Sequence, residues 1–234
     1  MANRGKEQSR EKKRYDQYIS LQMVDAWKEI NNMPVQLFTI EIERPGIFSG
    51  EPTLKQALLV IDVQNEYFTG RLPVTYPQGS LLNILKAMDW AHSTHLPTVL
   101  IQHTNLAPGA ATFLKGMDGW ELHPQIKRRH ADILIEKHLP GSFTGTGLKD
   151  WLEGNDITTV TIAGYMTQMC CDSTAREAFH RGYSVNFLAD ATGTLSVSNA
   201  AGSISDADLH RAVLITQQMR FARVVRTDEW INGN

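Results

Sequence analysis

The chain has 234 residues, two adjacent cysteines and a formal net charge of −2 from 23 basic and 25 acidic residues. That length can bury the core of one α/β domain, and the near-balance of charge offers no footprint for nucleic acid or an anionic membrane as partner. No apolar run approaches the ~20 residues of a membrane span, and the N-terminus leads into charge rather than an apolar signal core. Two neighbouring cysteines make a poor disulfide framework, so a reducing cytoplasm is the expected location.

Residues 1–50 read as an arm before the main domain, which takes 51–234. The first 14 residues carry Arg4, Lys6, Arg10, Lys12, Lys13 and Arg14 against Glu7 and Glu11, the pattern of a solvated tail. Tyr15, Ile19, Met23, Trp27 and Ile30 then recur at helical spacing and predict an amphipathic helix that ends before Pro34. Val35 to Glu43 is strand-like, and Pro45-Gly46 breaks it.

From Gln56 onward strand and helix alternate. Ala57–Ile61 is a continuous apolar run suited to a strand buried on both faces. Leu81–His95 predicts a helix with Leu82, Leu85, Met88 and Ala91 on its inner side, and Thr98–Gln102 the next strand. Residues 104–130, with Gly109, Gly116 and Gly119, form a connection long enough for a lid or pocket wall. Ile133–Ile135 is the third strand, Leu148–Leu152 a short helix and Thr159–Ala163 the fourth strand. A helix over 168–181 stops near Gly182, Tyr183–Leu188 gives a fifth strand, and Ala207–Arg220 the last long helix. Val224-Val225 starts a sixth strand. The alternation implies a doubly wound, mostly parallel sheet of about six strands with helices on both faces, three layers of Rossmann-like type. In such sheets ligands bind at the carboxyl ends of the strands.

That rule selects residues. The first strand ends in Asp62, the third at Glu136-Lys137, and the fourth runs into a turn before Cys170-Cys171. Cys171, Ala175, Ala178 and Phe179 fall at i, i+4, i+7 and i+8, a stripe facing the sheet, so Cys171 is a small buried hydrophobe and Cys170 stands off the stripe at the mouth of the turn. There the free N–H groups and the helix dipole favour thiolate over thiol. Alone, Asp62 could cap a turn and Lys137 could be a solvated strand-end charge. Together, an acid, an ammonium and a thiol at one sheet edge can activate a nucleophile.

The motifs carrying these residues resemble those of the isochorismatase-like cysteine hydrolases, which include nicotinamidases, N-carbamoylsarcosine amidases and ureidoacrylate amidohydrolases. Ala57-Leu-Leu-Val-Ile-Asp62-Val-Gln-Asn65 is similar to the family's first-strand motif. Glu136-Lys137-His-Leu-Pro-Gly-Ser142-Phe143 resembles its lysine motif, and Gly164-Tyr-Met-Thr-Gln-Met-Cys170, followed by Ser173-Thr-Ala-Arg176-Glu-Ala178, its nucleophile motif. The resemblance spans about residues 55–230. It implies a catalytic triad of Asp62, Lys137 and Cys170, a cis peptide between Tyr165 and Met166, and an oxyanion hole made by the backbone N–H groups of Met166 and Cys170. It also implies a homo-oligomer, dimer or tetramer; the arm can dock on its own subunit or on a neighbour, and by analogy the neighbour is favoured. Nicotinamidases of this family bind a metal through an Asp-x-His pair after the second strand. Here that stretch is Gln102-His103-Thr104-Asn105-Leu106, so no metal and no cofactor is expected, and His103 is expected to be hydrogen-bonded in place. Tyr67, Trp120, Phe143 and Tyr165 are candidate pocket walls. The expected activity is metal-independent hydrolysis of a C–N bond in a small carboxamide or ureido substrate through a thioester. The alternatives are vinyl-ether hydrolysis of the isochorismatase type, and a silent relative retained for binding or assembly.

Overall fold

The computed structural model describes residues 55–233. The tail, helix and strand read over residues 1–50 lie outside the described residues. In chain order the elements are β1 (Gln56–Ile61), α1 (Ser80–Ser93), β2 (Thr98–His103), α2 (Pro124–Lys127), β3 (Ile133–Lys137), α3 (Leu148–Gly154), β4 (Thr159–Tyr165), α4 (Asp172–His180), β5 (Ser184–Gly193), β6 (Val197–Asn199), β7 (Gly202–Ile204), α5 (Asp206–Thr216), β8 (Arg223–Val225) and α6 (Thr227–Asn232). One sheet has the order β3-β2-β1-β4-β5-β8, and each of its pairings is parallel. The antiparallel pair β6–β7, which the sequence reading did not foresee, stands apart from it.

Alternation along the central strand builds three layers, because successive side chains of a strand point to opposite faces. Leu58 and Val60 join Ile84, Leu85, Met88 and Ala91 of α1 and Trp230 of α6 in one buried cluster. Ala57, Leu59 and Ile61 join Leu148 and Leu152 of α3, Cys171, and Ala175 and Ala178 of α4 in the other. Helices thus cover both faces of the sheet, as the strand–helix alternation implied.

Two helices depart from expectation. Leu82, expected on the inner side of α1, is 69% exposed, and the buried apolar positions are Ile84, Leu85, Ala87, Met88 and Ala91. The buried stripe therefore starts two residues later. The single helix expected over 168–181 is instead a π-helical turn, Thr167–Cys171, running into α4. Cys171 keeps its expected place on the inner stripe and is fully buried with Ala175 and Ala178.

Chain order along the sheet reverses at β1, between β2 and β4 on either side. Such a switch point opens a crevice at the strand ends. The residues after β1 and β4 meet there. Gly164 makes the meeting close: it lies opposite Ile61 in the register, has φ +119°, and a Cβ on it would sit 2.0 Å from the Ile61 carbonyl oxygen. Only glycine fits where two backbones approach in this way.

Candidate active site

Asp62 follows β1 directly with a left-handed backbone, φ 51°, a conformation that Asp tolerates better than most residues. Its N–H bonds the Ile101 carbonyl on β2 at 2.9 Å, and its own carbonyl accepts the Gln64 N–H at 2.8 Å. Lys137 is the last residue of β3 and pairs in register with His103 on β2. Its side chain spans the end of β2. The ammonium lies 2.7 Å from Asp62 Oδ2, 3.2 Å from Cys170 Sγ and 3.1 Å from the Leu139 carbonyl. Asp62 and Lys137 are fully buried and Cys170 is 7% exposed. The three side chains expected at the strand ends are therefore brought into contact, with the ammonium touching both carboxylate and sulfur.

The electrostatics differ from the simple expectation for Cys170. Burial pushes its thiol well above the ordinary range, the Asp62 carboxylate pushes the same way by charge and hydrogen bonding, and Lys137 opposes both. Free N–H groups and a helix dipole do not outweigh an enclosed carboxylate. Burial and Asp62 thus work against a preformed thiolate at Cys170. For Lys137 burial pulls downward, but its interactions with Asp62 and then Cys170 prevail and leave it raised. Cys171, fully buried on the other side of the turn, is also pushed upward, chiefly by burial.

The peptide between Tyr165 and Met166 is cis. Beyond it the Met166 carbonyl accepts the N–H groups of Met169 at 3.1 Å and Cys171 at 3.2 Å, while the Cys170 N–H is not among its donors. The candidate pocket aromatics do not form one wall. Tyr67 and Tyr165 meet edge to face at 5.5 Å in the cluster beneath α1, with the Tyr165 hydroxyl 3.0 Å from Ser80 Oγ. Burial raises the Tyr67 phenol most, with Cys170 and Asp62 next. Phe143 lies in the opposite cluster, the one holding Cys170, stacked on Tyr183 at 5.9 Å. Trp120 is half-buried in the 104–130 connection, its indole N–H bonded to Thr104 Oγ1 at 2.7 Å.

His103 has a buried Nδ1 with no partner of its own among the described residues, while a hydrogen bond with the Lys137 backbone acts on the ring. The ring sits edge-on to Phe113 at 5.2 Å, and burial, then Lys137, lowers its pKa. The donors around it do not fit a metal of the nicotinamidase type. Gln102 is committed to the Trp120 carbonyl at 2.9 Å, Thr104 to Glu136 at 2.6 Å, and no group of three or more His, Cys, Asp or Glu gathers among the described residues.

Gln64, quoted in the first-strand motif without a role, holds this edge together. Its amide N–H donates to the His103 carbonyl at 2.9 Å and the Trp120 carbonyl at 2.7 Å, and its oxygen accepts the His103 N–H at 2.9 Å. No sequence signal marks such a contact, because its partners are 39 and 56 residues away.

Comparison with known proteins agrees with this arrangement. Residues 56–227 match the family model described as the isochorismatase domain. A crystal structure of an isochorismatase-type protein from Burkholderia xenovorans LB400 is 48% identical, with a TM-score of 0.75 over 78% of this chain and 88% of that one. Nicotinamidase 3 of Arabidopsis thaliana is 30% identical over 185 residues, 74% of this chain and 85% of its own. N-carbamoylsarcosine amidase from Thermoplasma acidophilum is 26% identical, with a TM-score of 0.64 over 75% of this chain and 98% of that one. With a buried Asp-Lys-Cys contact at the switch point of a matching sheet and a family model spanning most of its length, the chain belongs to the isochorismatase family of hydrolases.

Proposed function

We propose that the protein is a cysteine amidohydrolase that cleaves a C–N bond of a small carboxamide or ureido compound without a metal. The observation that carries this reading is the Lys137 ammonium in contact with both Asp62 Oδ2 and Cys170 Sγ, at 2.7 and 3.2 Å. Two relatives named for C–N hydrolysis, the nicotinamidase and the N-carbamoylsarcosine amidase, support the substrate class. The buried carboxylate is the proton acceptor. As Sγ attacks the carbonyl carbon, the thiol proton passes to Asp62 and Lys137 offsets the charge passing between sulfur and carboxylate. The carbonyl oxygen becomes an oxyanion held by the N–H groups of Met166 and Cys170. Its collapse breaks the C–N bond, and protonated Asp62 gives its proton to the departing nitrogen. A water then gives a proton to Asp62 and attacks the thioester, and the proton returns to sulfur as the acid leaves.

The test is ammonia release from a panel of small amides and ureas, with intact-mass detection of an acyl adduct on Cys170. Cys170→Ala should abolish turnover, a loss of several orders of magnitude. Cys171→Ala should keep it and lose about 1 kcal/mol of stability as a small core truncation. Equal loss of activity in two folded variants would refute the assignment of the nucleophile.

A further inference from the structure

The nucleophile turn is gripped from outside the catalytic contact. Thr167 opens it, three residues before Cys170, and Asp172 follows two residues after. Both are held by the segment that starts with α5 and ends in the π-helical turn Gln217–Phe221. Thr167 Oγ1 lies 2.8 Å from His210 Nδ1, and His210 Nε2 lies 2.9 Å from the Ala189 carbonyl on β5. At the other end Gln217 Nε2 donates to Asp172 Oδ1 at 2.7 Å, while Asp172 Oδ2 accepts Arg176 Nε at 2.8 Å. His210 and Gln217 are seven residues apart, two turns of a helix, and so share a face. His210 is the buried residue of α5 and Gln217 that of the π-helical turn. The helix thus inserts two polar side chains, rather than an apolar stripe, at the two ends of the nucleophile turn.

The bonds fix the imidazole. A carbonyl can only accept, so Nε2 carries the proton, Nδ1 is the acceptor in the neutral ring, and the Thr167 hydroxyl donates to it. The titratable group facing the ring from another element is Tyr76, edge-on at 5.4 Å. Asp190, next to Ala189, is turned to the Thr227 N–H and hydroxyl. On its own helix Asp206 bonds Thr75, and Asp208 pairs with Arg211. Burial lowers the pKa of His210, with the Ala189 carbonyl acting the other way. The ring is therefore neutral around pH 7.

We infer that His210 and Gln217 are positioning residues, holding Thr167 and Asp172 so that Cys170 Sγ stays on Lys137 and Asp62. This rests on the nucleophile assignment of the proposed function. Its mark is coupling: His210 acts through the Thr167 hydroxyl, so removing either should have the effect of removing both. The experiment follows the rate of Cys170 alkylation by iodoacetamide between pH 6 and 9, read by peptide mass spectrometry on the full chain, with thermal unfolding alongside. His210→Phe keeps the ring and Thr167→Val keeps the shape, and each should change the rate about tenfold. The double variant should change it no further, and Thr167→Ser should restore it. His210→Asn, which places an amide oxygen near the Nδ1 position, should restore most of it. Gln217→Met should give a change of similar size that adds to that of His210→Phe. A reactive Cys170 whose rate ignores these substitutions in folded variants, or single effects of His210 and Thr167 that simply add, would overturn the inference and leave the proposed function standing. A Cys170 that neither alkylates up to pH 9 nor carries an acyl adduct during turnover would remove the nucleophile itself and both readings with it.

Discussion

At the scale of the residue, the decisive feature is that one carboxylate both hinders and serves the thiol. Asp62 is the second cause, after burial, that raises the Cys170 thiol, and Lys137 is the group that lowers it. Replacing Asp62 by Asn removes the upward push and leaves the ammonium facing sulfur. Cys170 in Asp62→Asn should then alkylate faster than the unsubstituted protein near pH 7, although turnover is lost because the proton has no acceptor. Slower alkylation with circular dichroism unchanged would mean that Asp62 activates the resting thiol directly. From sequence alone the opposite sign is the natural expectation, because Asp62 reads as the base that takes the thiol proton. Spacing shows which residue types reach a sheet edge. It does not show that Asp62 is wholly enclosed, and enclosure sets the sign.

At the scale of the element, the local patterns carried far. Apolar runs marked the central strands β1, β2 and β4 to within two residues of their ends, because strands buried on both faces are written in uninterrupted β-branched and aliphatic residues. Gly182 and its left-handed φ of +91° mark the end of α4, as expected of a helix stop. What stayed hidden depends on partners far along the chain. The π-helical turn at Thr167–Cys171 has helical composition, and the side chains that bond its two ends come from 43 and 45 residues away. The β6–β7 pair contains Ser198, Asn199, Gly202 and Ser203, residues that read as loop. Gly164 is a further case, legible as part of a motif but not as a steric necessity. In Gly164→Ala the new methyl would sit 2.0 Å from the Ile61 carbonyl oxygen at φ +119°, so β1 and β4 must separate where Asp62 and the nucleophile turn meet. The expected cost is about 3 kcal/mol or more in urea unfolding, together with loss of turnover. A change within about 0.5 kcal/mol would show that the strands can move apart freely.

At the scale of the whole molecule, the buried titratable groups favour one window of pH. Cys170 and Cys171 are raised above an ordinary value of 9.0, Tyr67 and Tyr165 above 10.0, and Lys137 above 10.5. A raised group contributes stability that is complete below its unfolded pKa. For the thiols and phenols the contribution falls once the unfolded chain ionises and the folded one does not, and for Lys137 it is lost as pH rises through the folded value. His103 and His210 are lowered from 6.5, so the unfolded chain takes up protons that the folded one refuses, and stability falls as pH drops below that value. The thermal midpoint should therefore be highest between about pH 6.5 and 9. Beyond each edge the slope should approach about 1.4 kcal/mol per pH unit for each group engaged. The alkaline limb identifies its source. Cys171 lies outside the catalytic contact and is fully buried, so Cys171→Ala should make the decline above pH 9 shallower without moving the acid limb. A midpoint that holds steady to pH 10.5, or an alkaline limb indifferent to Cys171, would mean that the folded interior admits these charges and is less closed than its packing requires.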